Sequence, residues 1–208
     1  MNKKDVLGII LSGGLSTRMG EDKSIKQISG KSLLEHVIFR SSGQVDKLII
    51  NSNKSNNIFK KLGMDVVIND CIPGSLGPLI GVLSGMKWAR KNSDYKWLAS
   101  FPIDCPFFPK NIIERFIEES DNYKIVLAEG SERLHPVFSL WRICEYLESQ
   151  LESFLVNGER KINKFTKKFK TRVVKFTEVG YDPFFNVNTM NDLIKAEKIY
   201  NQYQRRFK

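Results

Sequence analysis

Val6-Leu7-Gly8-Ile9-Ile10-Leu11 forms an unbroken apolar run that stops at Ser12-Gly13-Gly14 and gives way to a small, polar, basic stretch ending at Lys23. A short apolar run closed by a turn signal predicts a buried strand. The glycines that follow let the backbone approach a ligand closely and turn its N–H groups toward a bound anion. Arg18 and Lys23 supply side-chain charge for the same anion. A buried strand feeding such a loop constrains the chain to an architecture in which a nucleoside triphosphate is the expected ligand.

Strand-like and helix-like segments alternate along the rest of the chain. That alternation predicts an α/β fold of three layers: a mostly parallel twisted sheet with helices on both faces, Rossmann-like in plan. Strands are expected at residues 6–11, 47–51, 65–69, 96–101, 123–128, 136–141 and 171–176. Helices are expected at 31–42, 78–91, 142–156, 161–169 and 190–204, with a further one opened by Pro109 in its first turn. Leu33, Leu34, Val37 and Ile38 share one helical face, as do Ile112, Ile113, Phe116 and Ile117. No repeat, linker or shift of composition divides the 208 residues, so 1–208 reads as a single domain.

Composition narrows the class. A content of 41% hydrophobic and 27% charged residues is that of an ordinary globular protein. Cys71, Cys105 and Cys144 are isolated, which argues against a disulfide framework or zinc site and for reduced thiols in the cytosol. The first apolar run is too short for a signal peptide, and nothing approaches the roughly 18 apolar residues of a membrane span, so a cytoplasmic location is expected.

The net charge of +10 is concentrated late in the chain. Arg160, Lys161, Lys164, Lys167, Lys168, Lys170, Arg172 and Lys175 occur with no acid among them. This segment is either a solvated basic face or a surface that attracts a phosphorylated substrate or an acidic partner protein. No aromatic–basic signature of an RNA-binding module accompanies it, and nucleic acid is not the expected partner.

In open α/β sheets, ligands bind beyond the carboxyl ends of the strands. The polar residues at those ends are Ser12-Gly13-Gly14, Asn51-Ser52-Asn53, Asn69-Asp70, Asp104 and Asn186-Val187-Asn188-Thr189. The glycine loop matches neither the P-loop pattern nor Gly-x-Gly-x-x-Gly. Lys23 is suited to neutralising charge on a leaving phosphate. Asp104, bracketed by Pro102 and Pro106, either caps the following helix or binds Mg²⁺, which takes one or two carboxylates plus substrate phosphates. Asp70 is the other strand-end acid, for nucleotide or metal.

Gly74, Gly77, Gly81 and Gly85 surround an expected helix start, where glycine is unfavourable. They permit either close packing on the sheet or a base lying against backbone. His36 reads as structural. His135, near Arg133, is either structural or faces a second substrate. Asn186 and Asn188 alternate along an extended segment and point to one side, suited to orienting phosphate or completing a coordination shell.

The order of these motifs resembles the molybdenum cofactor guanylyltransferases, the MobA-type nucleotidyltransferases. Leu11 to Lys23 is similar to that family's Leu-Ala-Gly-Gly-x-Ser-x-Arg-Met-Gly-x-Asp-Lys loop, with Ser12 in place of alanine. Gly30-Lys31-Ser32-Leu33, Asn51 to Asn53, Pro73 to Gly81, Phe101 to Pro106, His135-Pro136 and Asn186 to Thr189 resemble its later boxes in the same order. Phe101 and Ile103 depart from the small or sulfur-containing residues frequent there.

The resemblance implies GTP binding by Leu11, Ser12, Gly13, Gly14, Lys23, Asn51, Asp70 and Asp104, with Mg²⁺ on Asp104. It implies catalytic roles for Arg18, Lys23 and Asp104, and a nucleotidyltransferase that moves GMP from GTP to the molybdopterin cofactor with release of pyrophosphate. Cofactor-synthesis or acceptor proteins are further implied partners. The alternatives are CTP or a sugar-phosphate acceptor in the same chemistry, or a nucleotide-binding protein without transfer.

Overall fold

The computed structural model describes residues 5–12, 26–53, 57–74, 77–92 and 94–207. Strand β1 (Val6–Leu11) is followed by a small hairpin, β2 (Gln27–Ile28) and β3 (Lys31–Ser32), and by helix α1 (Leu33–Ser42). Next come β4 (Lys47–Asn51), α2 (Asn57–Lys61), β5 (Val67–Ile68), α3 (Pro78–Asn92), β6 (Trp97–Pro102) and α4 (Ile112–Glu118). The chain continues through β7 (Ile125–Glu129), β8 (Leu134–Arg142), α5 (Glu145–Val156), α6 (Ile162–Thr166), β9 (Thr171–Lys175) and α7 (Met190–Phe207).

Seven strands form one sheet in the order β5-β4-β1-β6-β8-β7-β9. The pairings are parallel except those of β8, which runs antiparallel to both β6 and β7. The expected α/β fold with a mostly parallel sheet is therefore the one observed. From β1 the chain moves outward to β4 and β5, then returns to β6 on the other side of β1. This reversal makes the carboxyl end of β1 a topological switch point, the place at which such sheets bind ligands.

The apolar run of β1 earns its central position by burying both faces. Val6 and Ile10 pack into one core with Leu34 and Val37 of α1 and Ile112 and Phe116 of α4. Leu7, Ile9 and Leu11 pack into the other with Leu79, Val82, Leu83 and Met86 of α3 and Leu147 and Leu151 of α5. Each such side chain, fully buried, contributes about 1.5–3 kcal/mol. A third cluster joins Ile28, Leu33, Phe107, Val187 and Ala196, so α7 closes over the hairpin and the segment before it.

Several element boundaries differ from expectation for local reasons. The helix expected from residue 31 starts at Leu33, because Lys31-Ser32 pair in the hairpin and Ser32 then caps the helix. Its Oγ accepts from Glu35 N, while Glu35 Oε2 accepts from Ser32 N at 2.7 Å, a capping box. Pro109 does not open α4. Asn111 is the N-cap, and the Pro109 carbonyl accepts from Ile112 N in a preceding turn and from Gln44 Nε2 at 3.1 Å.

The helix expected from residue 142 starts at Glu145, since Arg142 still pairs with Trp97. Pro136 is accommodated where the β7–β8 register jumps from Leu127↔Ser139 to Ala128↔His135, a bulge that spares the missing N–H. The strand expected at 65–69 shrinks to Val67–Ile68.

His36 bears out its structural reading. It is buried on α1, with Nε2 2.9 Å from the Ile28 carbonyl oxygen and its ring edge-on to Tyr200. Burial, the largest cause, holds its pKa below the ordinary value of 6.5. The unfolded chain therefore binds a proton more readily than the folded one. This contribution to stability is present above the unfolded pKa and is lost as pH falls. We expect the melting temperature to drop on acidification from about pH 7.5 to about pH 5, with a shallower slope in His36→Gln. Equal slopes in the two proteins, followed by calorimetry, would contradict this.

Candidate active site

The carboxyl end of β1 is fastened to its neighbour by Ser12 N, which donates to the Asn51 carbonyl at 3.0 Å. Leu11 lies opposite Asn51 of β4 on one side and Pro102 of β6 on the other. Two groups of expected site residues thus flank β1. Gly13, Gly14, Arg18 and Lys23 lie outside the described residues.

On the β4 side, Asn51 is buried and donates from Nδ2 to Asp70 Oδ1 at 3.0 Å. Asn53 donates from Nδ2 to Asp70 Oδ2 at 2.7 Å and accepts from Asp70 N at 2.9 Å. The structure therefore brings Asn51 and Asp70 together and adds Asn53, to which the sequence reading gave no role. An ionised carboxylate is an acceptor with about four lone-pair sites. One amide on each oxygen leaves capacity for N–H or O–H donors of a ligand.

The surface beneath this group explains two of the four glycines. A Cβ on Gly81 would lie 2.5 Å from Asn51 Oδ1 and 2.5 Å from Leu11 Cδ2. A Cβ on Gly85 would lie 2.9 Å from Ile9 Cδ1. Of the two readings left open, close packing of α3 on the sheet holds for this pair. Gly81 therefore couples helix packing to the position of a candidate ligand.

On the β6 side, Asp104 follows the strand in a tight turn. It does not cap α4, whose N-cap is Asn111. Its carbonyl accepts from Val187 N at 2.8 Å, tying the Asn186–Asn188 segment to the strand end. Val187 is buried between two partly exposed asparagines, as their alternation predicts. Asn186 Oδ1 is itself buried and has no hydrogen-bond partner.

Cys105 Sγ, pushed well up in pKa chiefly by burial, donates to Asp104 Oδ1 at 3.7 Å and to the Phe184 carbonyl at 3.6 Å. His135 stacks on Phe184 with ring centroids 4.6 Å apart, and burial holds its pKa below the ordinary value. It lies at the edge of this group.

Among the described residues, no three His, Cys, Asp or Glu side chains converge as a complete metal cage. The Asp104 carboxylate and the unpartnered amide oxygen of Asn186 are oxygen donors on two segments joined by the Val187 N to Asp104 carbonyl bond. Such a set fits Mg²⁺, which keeps waters and fills its shell with substrate phosphates, and does not suit zinc.

Four residues of the basic segment have local partners. Lys164 pairs with Glu159 and Arg172 with Glu119, while Lys168 lies over Phe154 and Lys170 over Tyr123.

Comparison with known proteins extends the geometry. Residues 8–173 match the MobA-like NTP transferase domain. The chain is 37% identical over 195 residues to the molybdenum cofactor guanylyltransferase of Rhodopseudomonas palustris (strain BisB5), covering 92% of each. It is 37% identical over 199 residues to the protein of the same name from Bradyrhizobium sp. (strain ORS 278), covering 93% of this chain and 92% of that one.

Among solved structures, molybdopterin-guanine dinucleotide biosynthesis protein A from Archaeoglobus fulgidus superposes with a TM-score of 0.73 at 22% identity, covering 94% of this chain and 99% of that one. The 4-diphosphocytidyl-2C-methyl-D-erythritol synthase of Anaerococcus prevotii gives 0.73 at 15% identity, covering 97% and 100%. These two share the fold. A sequence match running from inside β1 to inside β9, with relatives more than a third identical along nearly the whole chain, identifies the molecule as a nucleotidyltransferase of the MobA-like NTP transferase family.

Proposed function

We propose that this chain is a molybdenum cofactor guanylyltransferase. A terminal phosphate oxygen of the molybdopterin cofactor attacks the α-phosphorus of GTP, the bond to the β-phosphate oxygen breaks, and pyrophosphate leaves. The observation that supports this most is the pair of polar groups flanking β1. Asn51–Asp70 and Asp104, to which the Asn186–Asn188 segment is tied, stand on opposite sides of the strand that feeds the glycine loop. Relatives with that printed name, 37% identical over 92% of the chain, support the choice of substrates.

Phosphoryl-type transfer depends on positioning and charge neutralisation, so no protein nucleophile is required. In this reading Leu11 and Ser12 hold the end of β1, with Ser12 N bonded to Asn51, so that the chain beyond them, Gly13 and Gly14, lines the phosphates. Arg18 and Lys23 counter the charge that develops on departing pyrophosphate. Asn51 and Asp70 meet the nucleoside with amide and carboxylate. Asp104 would hold Mg²⁺, which when bound supplies Lewis-acid neutralisation of phosphate charge, and Asn186 is the candidate to complete its shell. Asn188 and His135 orient the acceptor.

Lys23→Ala is expected to lower turnover about a hundredfold with the fold intact, read as pyrophosphate release. Unchanged turnover removes Lys23 from the site. Titration calorimetry with GTP, CTP, ATP and UTP tests the reading as a whole. GTP is expected to bind most tightly, and preference for another nucleotide, or binding of none, contradicts it.

A further inference from the structure

The pairing of β4 with β5 is short, covering Ile50↔Val67 and Asn51↔Ile68. The backbone ladder carries on one step further, with Ser52 N donating to the Ile68 carbonyl at 2.9 Å. The next step is made by a side chain. Asn53 Oδ1 accepts from Asp70 N at 2.9 Å, and Asn53 Nδ2 donates to Asp70 Oδ2 at 2.7 Å. A carboxamide carries the same donor and acceptor as a peptide group, so Asn53 extends the sheet with its side chain. It grips the main chain and the carboxylate of Asp70 at once. Asn51 Nδ2 takes the other carboxylate oxygen at 3.0 Å. Held at both oxygens, the Asp70 carboxylate cannot rotate without breaking a charge-assisted hydrogen bond.

We propose that Asn53 is a positioning residue for nucleotide binding. It fixes the Asp70 carboxylate so that nucleoside N–H or O–H donors meet an acceptor already oriented for them. This rests on the reading of Asp70 as a nucleoside ligand. Asn53 is exposed at the rim and contributes little to the core. Its bonds go to a group whose orientation sets affinity, because ordering a carboxylate beforehand removes that cost from binding.

The test is a double-mutant cycle on GTP affinity, measured by titration calorimetry on the full chain. Asn53→Ala is expected to weaken GTP binding about tenfold, the scale of one hydrogen bond to a charged group. Asn53→Asp has nearly the same shape but sets a like charge against Asp70, and it is expected to weaken binding further than alanine does. Melting temperatures within a degree or two of the parent establish that both variants fold.

In an Asp70→Ala background, Asn53→Ala is expected to add little, since its effect passes through the lost carboxylate. Full additivity in the cycle, or parental affinity in Asn53→Ala or Asn53→Asp, overturns the proposal. A parent protein that binds no nucleotide overturns the functional reading itself, a result distinct from unchanged affinity in the variants. As a readout without nucleotide, the Asp70 amide is expected to exchange its hydrogen faster in Asn53→Ala. Equal protection there overturns the arrangement proposed.

Discussion

Asp104→Ala is expected to reduce pyrophosphate release by about a thousandfold or more, close to 4 kcal/mol of transition-state stabilisation. In the proposed mechanism its carboxylate is the charged oxygen donor on the β6 side of β1. Removing the carboxylate would leave the cation that neutralises phosphate charge without its anionic protein ligand. The fold should survive. The tether to the Asn186–Asn188 segment runs through the Asp104 main-chain carbonyl, which alanine retains. Cys105 keeps its second acceptor, the Phe184 carbonyl at 3.6 Å. A variant with near-normal melting and substantial activity would exclude Asp104 from the chemistry.

Gly81→Val carries the second large effect, and it acts through packing. The added Cβ would stand 2.5 Å from both Asn51 Oδ1 and Leu11 Cδ2, well inside contact distance. Neither neighbour can yield cheaply. Leu11 is wedged at the end of the central strand, and Asn51 is buried and bonded to Asp70. Helix α3 must therefore lift or Asn51 must swing.

Overpacking of this kind costs about 3 kcal/mol. For a chain of this size that corresponds to a fall in melting temperature of roughly 6–12 °C. The sign is informative, because replacing a helical glycine in open space usually raises stability by several tenths of a kcal/mol. GTP affinity should fall along with stability, since Asn51 moves. Unchanged melting by calorimetry would show that the close approach of α3 to β1 is wrong.

Long-period features of this fold were legible from the sequence. The apolar run of β1, the alternation of strand and helix patterns, and the strand-end positions of Asn51 and Asp70 all follow from local composition. Features set by neighbours distant in the chain were not. The β2–β3 hairpin and α2 are too short to carry a periodic signal. Arg142 looks like a helix start until its pairing with Trp97 is known.

Asn53 draws its role from a bond to Asp70, which the sheet alone brings alongside. Gly81 and Gly85 admitted two readings until the side chains of β1 were found beneath them. The phosphate-binding role of Gly13, Gly14, Arg18 and Lys23 rests on pattern and resemblance, since those positions lie outside the described residues.

The central claim is tested most directly by measuring pyrophosphate released when the purified protein is given GTP, Mg²⁺ and the molybdopterin cofactor. The account predicts one pyrophosphate per cofactor consumed, with little release when the pterin is omitted or CTP replaces GTP. No release with any nucleotide in the presence of the pterin, or release with CTP in preference to GTP, would contradict it.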